Sequence, residues 1–301
     1  MTRAPARRRW HAPAKLNLYL HLAGRRADGY HDLDGLVAFL DLGDELTVTP
    51  APDPRLGLDG PFAARLDGAP ENNLVYRAAI ALAARLGIKA GAAITLMKRL
   101  PVASGIGGGS GDAAAALRAL AVLWGCDDPA LLAELARTLG SDVPACLAAR
   151  PCWLGGVGDL IEPAAMLPRC GVLLVNPLVP LATAAVYRDF QGPFSPPARF
   201  AIPEDAEAFA SLLAARRNDL TAAATARVPA IAAILARLAT LDRCLLARMS
   251  GSGATCFALF RDPAEATAAA AALRAEAPGW WVEATVFRAA DAALSEPGSC
   301  S

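Results

Sequence analysis

The chain has 301 residues, with 29 Lys plus Arg against 29 Asp plus Glu, and 54% of its residues are hydrophobic. That length exceeds one typical domain and buries a large core, while the zero formal charge offers no basic field to attract nucleic acid, so no nucleic-acid partner is expected. No apolar run is long enough to span a membrane, and the seven cysteines, Cys300 among them, lack any Cys-x-x-Cys pair, so they read as free thiols of a reducing, cytoplasmic compartment.

In chain order, Met1 to Trp10 is basic, and polar residues rather than an apolar core follow it. It is no signal peptide and reads as a solvated extension. Leu16, Leu18, Leu20 and Leu22 then alternate with Lys15, Asn17, Tyr19 and His21, the pattern of a half-buried strand whose polar face suits the wall of a binding cleft. The only histidines, His11, His21 and His31, are spaced unlike any metal-ligand set. A loop over 24–29 leads to Tyr30-His31, and a second extended region falls near Glu45 to Thr49. Asn73 is placed to cap a helix over Leu74 to Leu86 that Gly87 stops, and Ala92 to Met97 returns as a strand.

That strand delivers the chain to Pro101-Val102-Ala103-Ser104-Gly105-Ile106-Gly107-Gly108-Gly109-Ser110-Gly111-Asp112, with five glycines between 105 and 111. Glycine permits positive φ and close backbone approach. The helix expected behind it, Ala113 to Leu123, offers unpaired N–H groups and the positive end of its dipole, so the ligand wrapped is an anion, phosphate first. A Walker loop is excluded because no Gly-Lys-Ser/Thr precedes the helix, and Gly-x-Gly-x-x-Gly fails at Ser110 or Asp112. No Gly-x-Ser-x-Gly elbow surrounds Ser110.

Asp128-Pro129 opens a helix ending at Gly140, and Ser141-Asp142-Val143-Pro144 starts another, with a carboxylate at its favoured end. Pro151 to Leu154 reads as a short strand. A new strand runs over 171–175, with helices near 183–190, 203–216 and 229–240 and a proline-rich surface loop from Gln191 to Pro197. Arg248 to Phe260 is a second glycine turn feeding a strand. A helix over 263–275 and a strand from Trp280 to Phe287 complete a mixed sheet, and the tail to Ser301 reads as frayed.

Four stretches together resemble the GHMP kinase superfamily: Ala12 to Leu18 with Arg26 to His31, Pro101 to Asp112, Leu139 to Pro144, and Ser250 to Phe257. The resemblance covers roughly residues 12 to 288. It implies an α+β two-domain GHMP kinase fold, with a ribosomal protein S5 domain 2-like N-terminal domain at 1–165 and a ferredoxin-like C-terminal domain at 166–301. The stretches around Lys15 and His31 are similar to the branch that phosphorylates a cytidine-diphosphate-linked methylerythritol in the non-mevalonate isoprenoid route.

That resemblance implies ATP with Mg²⁺ as cofactor, a small-molecule substrate, and no membrane or protein partner. It makes Lys15 and Asp142 the catalytic pair. Pro101, Val102, Ala103, Ser104, Gly105, Ile106, Gly107, Gly108, Gly109, Ser110, Gly111 and Asn73 become the ATP-binding residues, and Asn17, Tyr30, His31 and Tyr187 the substrate contacts. No residue is assigned as a protein ligand to the metal. Asp142 either accepts the proton of the attacking hydroxyl or orients it. The family's second loop serine is replaced by Gly111, and its Gly-Ala-Asp reads Gly140-Ser141-Asp142. A homoserine or mevalonate-type kinase is disfavoured by Asp28 to His31, and a silent GHMP-fold binding protein by the retention of Lys15 and Asp142.

Overall fold

The computed structural model describes residues 8–66, 68–89, 91–289, 292 and 294–296; Cys300, the rest of the C-terminal tail and the first seven residues lie outside them. Its spine is an antiparallel pair of long strands, β1 (Arg9–Arg25) and β2 (His31–Ala51). Pairing begins at Arg9, so Trp10 is a buried strand residue rather than part of a solvated extension.

The expected half-buried strand is buried on both faces: Lys15, Asn17, Tyr19 and His21 are all inside. Its alternation also breaks. A register shift between Asn17 and Tyr19 puts Leu18 and Tyr19 into the same core as Leu16, and turns Leu20 to the cavity that Lys15 and Asn17 line. One inserted residue exchanges the faces of a strand. Tyr19 therefore leaves the cavity and donates its hydroxyl to Asp34 at 2.8 Å, and the His21 ring meets the carbonyl of Pro196 at 2.9 Å.

β3 (Arg55–Asp59) precedes helix α1 (Leu74–Leu86), which Asn73 caps by accepting from the Val75 N–H at 2.9 Å. β4 (Gly91–Met97) follows, then α2 (Gly108–Leu123), which begins at Gly108 rather than Ala113, so the last five residues of the expected loop, with three of its five glycines, are the start of a helix. The alanines of α2 at 113–116, 119 and 121 are buried, and such small side chains let a helix lie close to its neighbours. α3 (Pro129–Leu139), α4 (Val143–Ala148), β5 (Cys152–Gly155) and β6 (Leu160–Pro163) complete this part.

β7 (Gly171–Asn176) opens a second sheet. Then come α5 (Thr183–Arg188), α6 (Ala206–Ala214), α7 (Thr221–Arg227), α8 (Ala230–Ala239), β8 (Leu246–Met249), β9 (Cys256–Phe260), α9 (Pro263–Glu276) and β10 (Trp281–Val286). Its order, β10-β7-β9-β8, is that of a ferredoxin-like sheet, and its pairings are antiparallel rather than mixed. The parallel pair, β3 with β4, lies in the first sheet, which β11 (Ser295–Glu296) joins at the edge of β1.

β1 stitches the halves together. Leu20 and Leu22 pack with Leu173 and Val175 of the second sheet, and the Leu22 N–H donates to the Asp219 carboxylate at 2.8 Å. The loop at 191–197 is tied down as well: Ser195 is buried and its N–H donates to the Leu22 carbonyl at 2.9 Å.

Candidate active site

A cavity of about 930 Å³ opens where the halves meet, with walls from β1, the 101–110 segment, the start of α4, α5 and the β8–β9 turn. The 101–110 segment is held at both ends. The Lys15 N–H donates to the Ile106 carbonyl at 2.9 Å, fastening the segment to β1 beside the lysine. The buried Ser250 hydroxyl accepts from the Asn17 N–H and donates to the Gly105 carbonyl, both at 3.0 Å. The late glycine turn is thus a brace for the first one.

Gly105 (φ 75°) and Gly107 (φ 65°) take left-handed backbone, and a Cβ would press on the Gly253 carbonyl at 2.6 Å and on Lys15 Cβ at 2.9 Å, respectively. Gly108, Gly109 and Gly111 are helical. Gly107 caps α2, and Gly108, Gly109 and Ser110 line the cavity with the N–H groups that a helix leaves unpaired in its first turn. Pro101, Val102, Ala103, Ser104, Gly105 and Gly107 line it too. Three expected ATP residues do not. Ile106 is core, Gly111 packs against the Pro13 carbonyl, and Asn73 caps α1 and borders a separate hollow of about 140 Å³.

Lys15 and Asp142 meet across the cavity, Nζ to Oδ1 at 2.7 Å, with side-chain exposures of 5% and 37%. Asp142 occupies the N-cap of α4 but makes no side-chain capping bond, so its carboxylate serves the cavity rather than the helix. α4 is fixed from its far end, where the half-buried Arg118 of α2 donates to the carbonyls of Cys146 and Leu147 at 3.0 Å. The pair sets an ammonium cation beside a carboxylate acceptor on the cavity wall. Asn17 adds a buried Oδ1 with no partner, an acceptor ready for a ligand donor.

At the other end His31 lies 5.8 Å from the Tyr187 ring, and both line the cavity with the exposed Tyr30. Burial, then the charge of Arg25, lowers the His31 pKa, which keeps the imidazole neutral with one donor and one acceptor. Burial, with help from Asp142, raises that of the Tyr187 phenol. Phe190 and Phe194 back the His31 ring at 5.9 and 6.3 Å. Neither stood out in the sequence: Phe190 ends the helix expected near 183–190, and Phe194 falls in what reads as a surface loop.

It also passed over a buried charge cluster under the start of α2. Lys98 Nζ, which lines the cavity floor, donates to Asp44 and, at 2.7 Å, to Asp112. The other Asp44 oxygen accepts from the Arg99 and Leu100 N–H groups at 2.6 and 2.8 Å. Burial works against the Lys98 charge, but the two carboxylates outweigh it and its pKa rises. Burial pushes Asp112 up to about 8 against the pull of Lys98. The signal was one lysine and one aspartate, Lys98 and Asp44, ending otherwise apolar strand patterns.

Comparison with known proteins places the chain in a family. Residues 73–150 match the GHMP kinases N terminal domain and residues 200–279 the GHMP kinases C terminal domain. The chain is 52% identical over 274 residues to the 4-diphosphocytidyl-2-C-methyl-D-erythritol kinase of Paramagnetospirillum magneticum, covering 90% of this chain and 95% of that one. It is 52% identical over 283 residues to the enzyme of the same name from Paracoccus denitrificans, covering 93% and 97%. A crystal structure of 4-(cytidine 5'-diphospho)-2C-methyl-D-erythritol kinase superposes with a TM-score of 0.78 at 35% identity, over 93% of this chain and 99% of that one. With both halves of the kinase fold matched and half its residues shared along nearly its whole length, the chain belongs to the GHMP kinases and, within them, to the 4-diphosphocytidyl-2-C-methyl-D-erythritol kinases.

Proposed function

We propose that the chain transfers the γ-phosphoryl group of ATP to the 2-hydroxyl of 4-diphosphocytidyl-2-C-methyl-D-erythritol. The observation that carries this is one cavity with three chemistries in sequence: unpaired helix N–H groups, the Lys15–Asp142 pair, and the ring group around His31. The helix terminus receives phosphate. Lys15 offsets charge on the transferring group while Asp142 takes or orients the hydroxyl proton. A neutral His31 between rings suits a pyrimidine, whose edge needs both a donor and an acceptor and whose face needs stacking.

Mg²⁺ is taken as cofactor with ATP. No group of three metal-ligating side chains is present among the described residues, so the ion would rest on the phosphates, with Ser110 and Asp142 as the cavity's own oxygen donors. Bound there it would neutralise phosphate charge. The two-domain division at 165/166 is proposed on the change of sheet between Pro163 and Gly171. No helix among the described residues is long and apolar enough to cross a membrane. A coupled ADP-release assay offering the cytidyl substrate, homoserine and mevalonate side by side tests the reading. Turnover is expected with the first alone, and turnover with either of the others in its place overturns it.

A further inference from the structure

A substrate of the proposed kind carries its negative charge midway along its length, between the base received near His31 and the hydroxyl received by Lys15 and Asp142. A diphosphate that gives up hydration in a confined site needs cations or donors in exchange. The cations lining the cavity are Lys15, Lys98, Arg25 and Arg188. Lys15 is held by Asp142 at 2.7 Å, and Lys98 by Asp44 and Asp112 beneath the phosphate loop. Two arginines remain.

We propose that Arg25 and Arg188 form the subsite for the diphosphate of the cytidyl substrate, an inference that rests on the function proposed above. Arg25 pairs directly with His31 across the β1–β2 ladder, and residues so paired project from the same face. A register shift between Leu22 and Gly24 decides this. If the Leu22–Leu33 register continued unshifted, Gly24 would oppose His31 and Arg25 would oppose Tyr30, on the other face. Bulges re-aim side chains beside binding sites. Arg25 has no carboxylate partner among the described residues, whereas its neighbour Arg26 lies 3.3 Å from Asp28 and 3.6 Å from Asp32. Arg26 thereby offsets Asp28, the carboxylate that lines the cavity at this end.

Arg188 comes from the opposite wall, at the end of α5 and directly after Tyr187. Its nearest carboxylate, Asp189, is 3.6 Å away and already bound by Arg227 at 2.5 Å. The two guanidinium groups thus flank the base end of the cavity from different elements, both exposed, Arg25 without a carboxylate among the described residues and Arg188 with only the shared, distant one of Asp189. A planar fork of donors suits phosphate oxygens better than a lysine would.

The test compares binding of cytidine and cytidine 5'-diphosphate by calorimetry, with the nucleotide site filled by a non-hydrolysable ATP analogue. Both are measured on the wild type and on Arg25→Gln/Arg188→Gln, a change at exposed positions that leaves the core untouched. The wild type should prefer the diphosphate, and in the double variant that preference over cytidine should fall by roughly tenfold or more, with KM for ATP unchanged. A double variant that keeps the wild-type preference overturns the subsite alone. Wild-type protein that binds neither compound overturns the cytidyl reading of the site, and the subsite with it.

Discussion

Two lysines sit in this molecule with their ammonium groups against aspartates, and they do opposite work. Lys98 faces Asp44 and Asp112, whose side chains are 0% and 3% exposed, so the group is sealed. Lys15 faces Asp142, whose side chain is 37% exposed and looks into the cavity. Both pairs join distant parts of the chain. What separates them is where the carboxylate ends up: a sealed carboxylate can only hold structure, whereas one with an open edge can exchange partners with a substrate. Distance alone would have ranked them equal.

The comparison breaks first on stability. Replacing Lys98 by Met leaves Asp44 and Asp112 buried without the ammonium group they share, and removing one partner of a buried pair costs about 3–5 kcal/mol. Calorimetry should show a large fall in Tm for Lys98→Met and a small one for Lys15→Met, because Asp142 keeps its contact with water. Equal falls would erase the distinction.

Turnover should rank the pairs the other way. Asp142→Ala and Lys15→Ala are expected to lower kcat on the order of 10²-fold or more, with unfolding close to wild type, since Asp142 makes no capping bond whose loss would weaken α4. Near-full turnover by Asp142→Ala in a steady-state assay would remove it from the mechanism.

Gly107 tests whether the phosphate loop and the open pair act as one unit. An alanine there must hold a left-handed φ, a cost of about 1–2 kcal/mol, and its Cβ meets Lys15 Cβ at 2.9 Å. Gly107→Ala should therefore raise KM for ATP and lower kcat together, while cytidine binding, measured by calorimetry, stays unchanged.

The last contrast is the dependence of stability on pH. Asp112 is pushed by burial up to about 8 from its ordinary 3.8. Over that interval the folded chain keeps a proton that the unfolded chain has released, so the stability this group supplies is lost as pH rises through about 8. Asp112→Asn cannot titrate, and its denaturation midpoint should fall less than the wild type's across that interval. A parallel fall in both proteins would mean that Asp112 is ionised throughout.

Much of the site was legible one residue at a time. Lys15, Asp142, Tyr30, His31, Tyr187 and nine residues of the 101–110 segment line the cavity; the glycine segment shows its chemistry locally, glycines before alanines, whereas Lys15, Asp142 and the ring residues stood out only through the resemblance to the kinase family. Ile106, Gly111 and Asn73 belong to the same stretches yet turn away. Membership of a loop does not say which atoms face the ligand.

By itself, then, the chain's pattern of residues marked most of the helices, several strands and a glycine segment suited to phosphate, since periodicity, caps and glycines act over a few neighbours. The tertiary structure alone decided the faces and the partners. The shift after Asn17 buries Tyr19 and exposes Leu20 to the cavity, and the one before Gly24 sets Arg25 beside His31. The sealing of Lys98 between Asp44 and Asp112, 54 and 14 residues away, depends on how strands and helix pack. A single inserted residue reverses every side chain that follows it along a strand, and a buried charge finds its partner through space; neither leaves a periodic mark in a sequence.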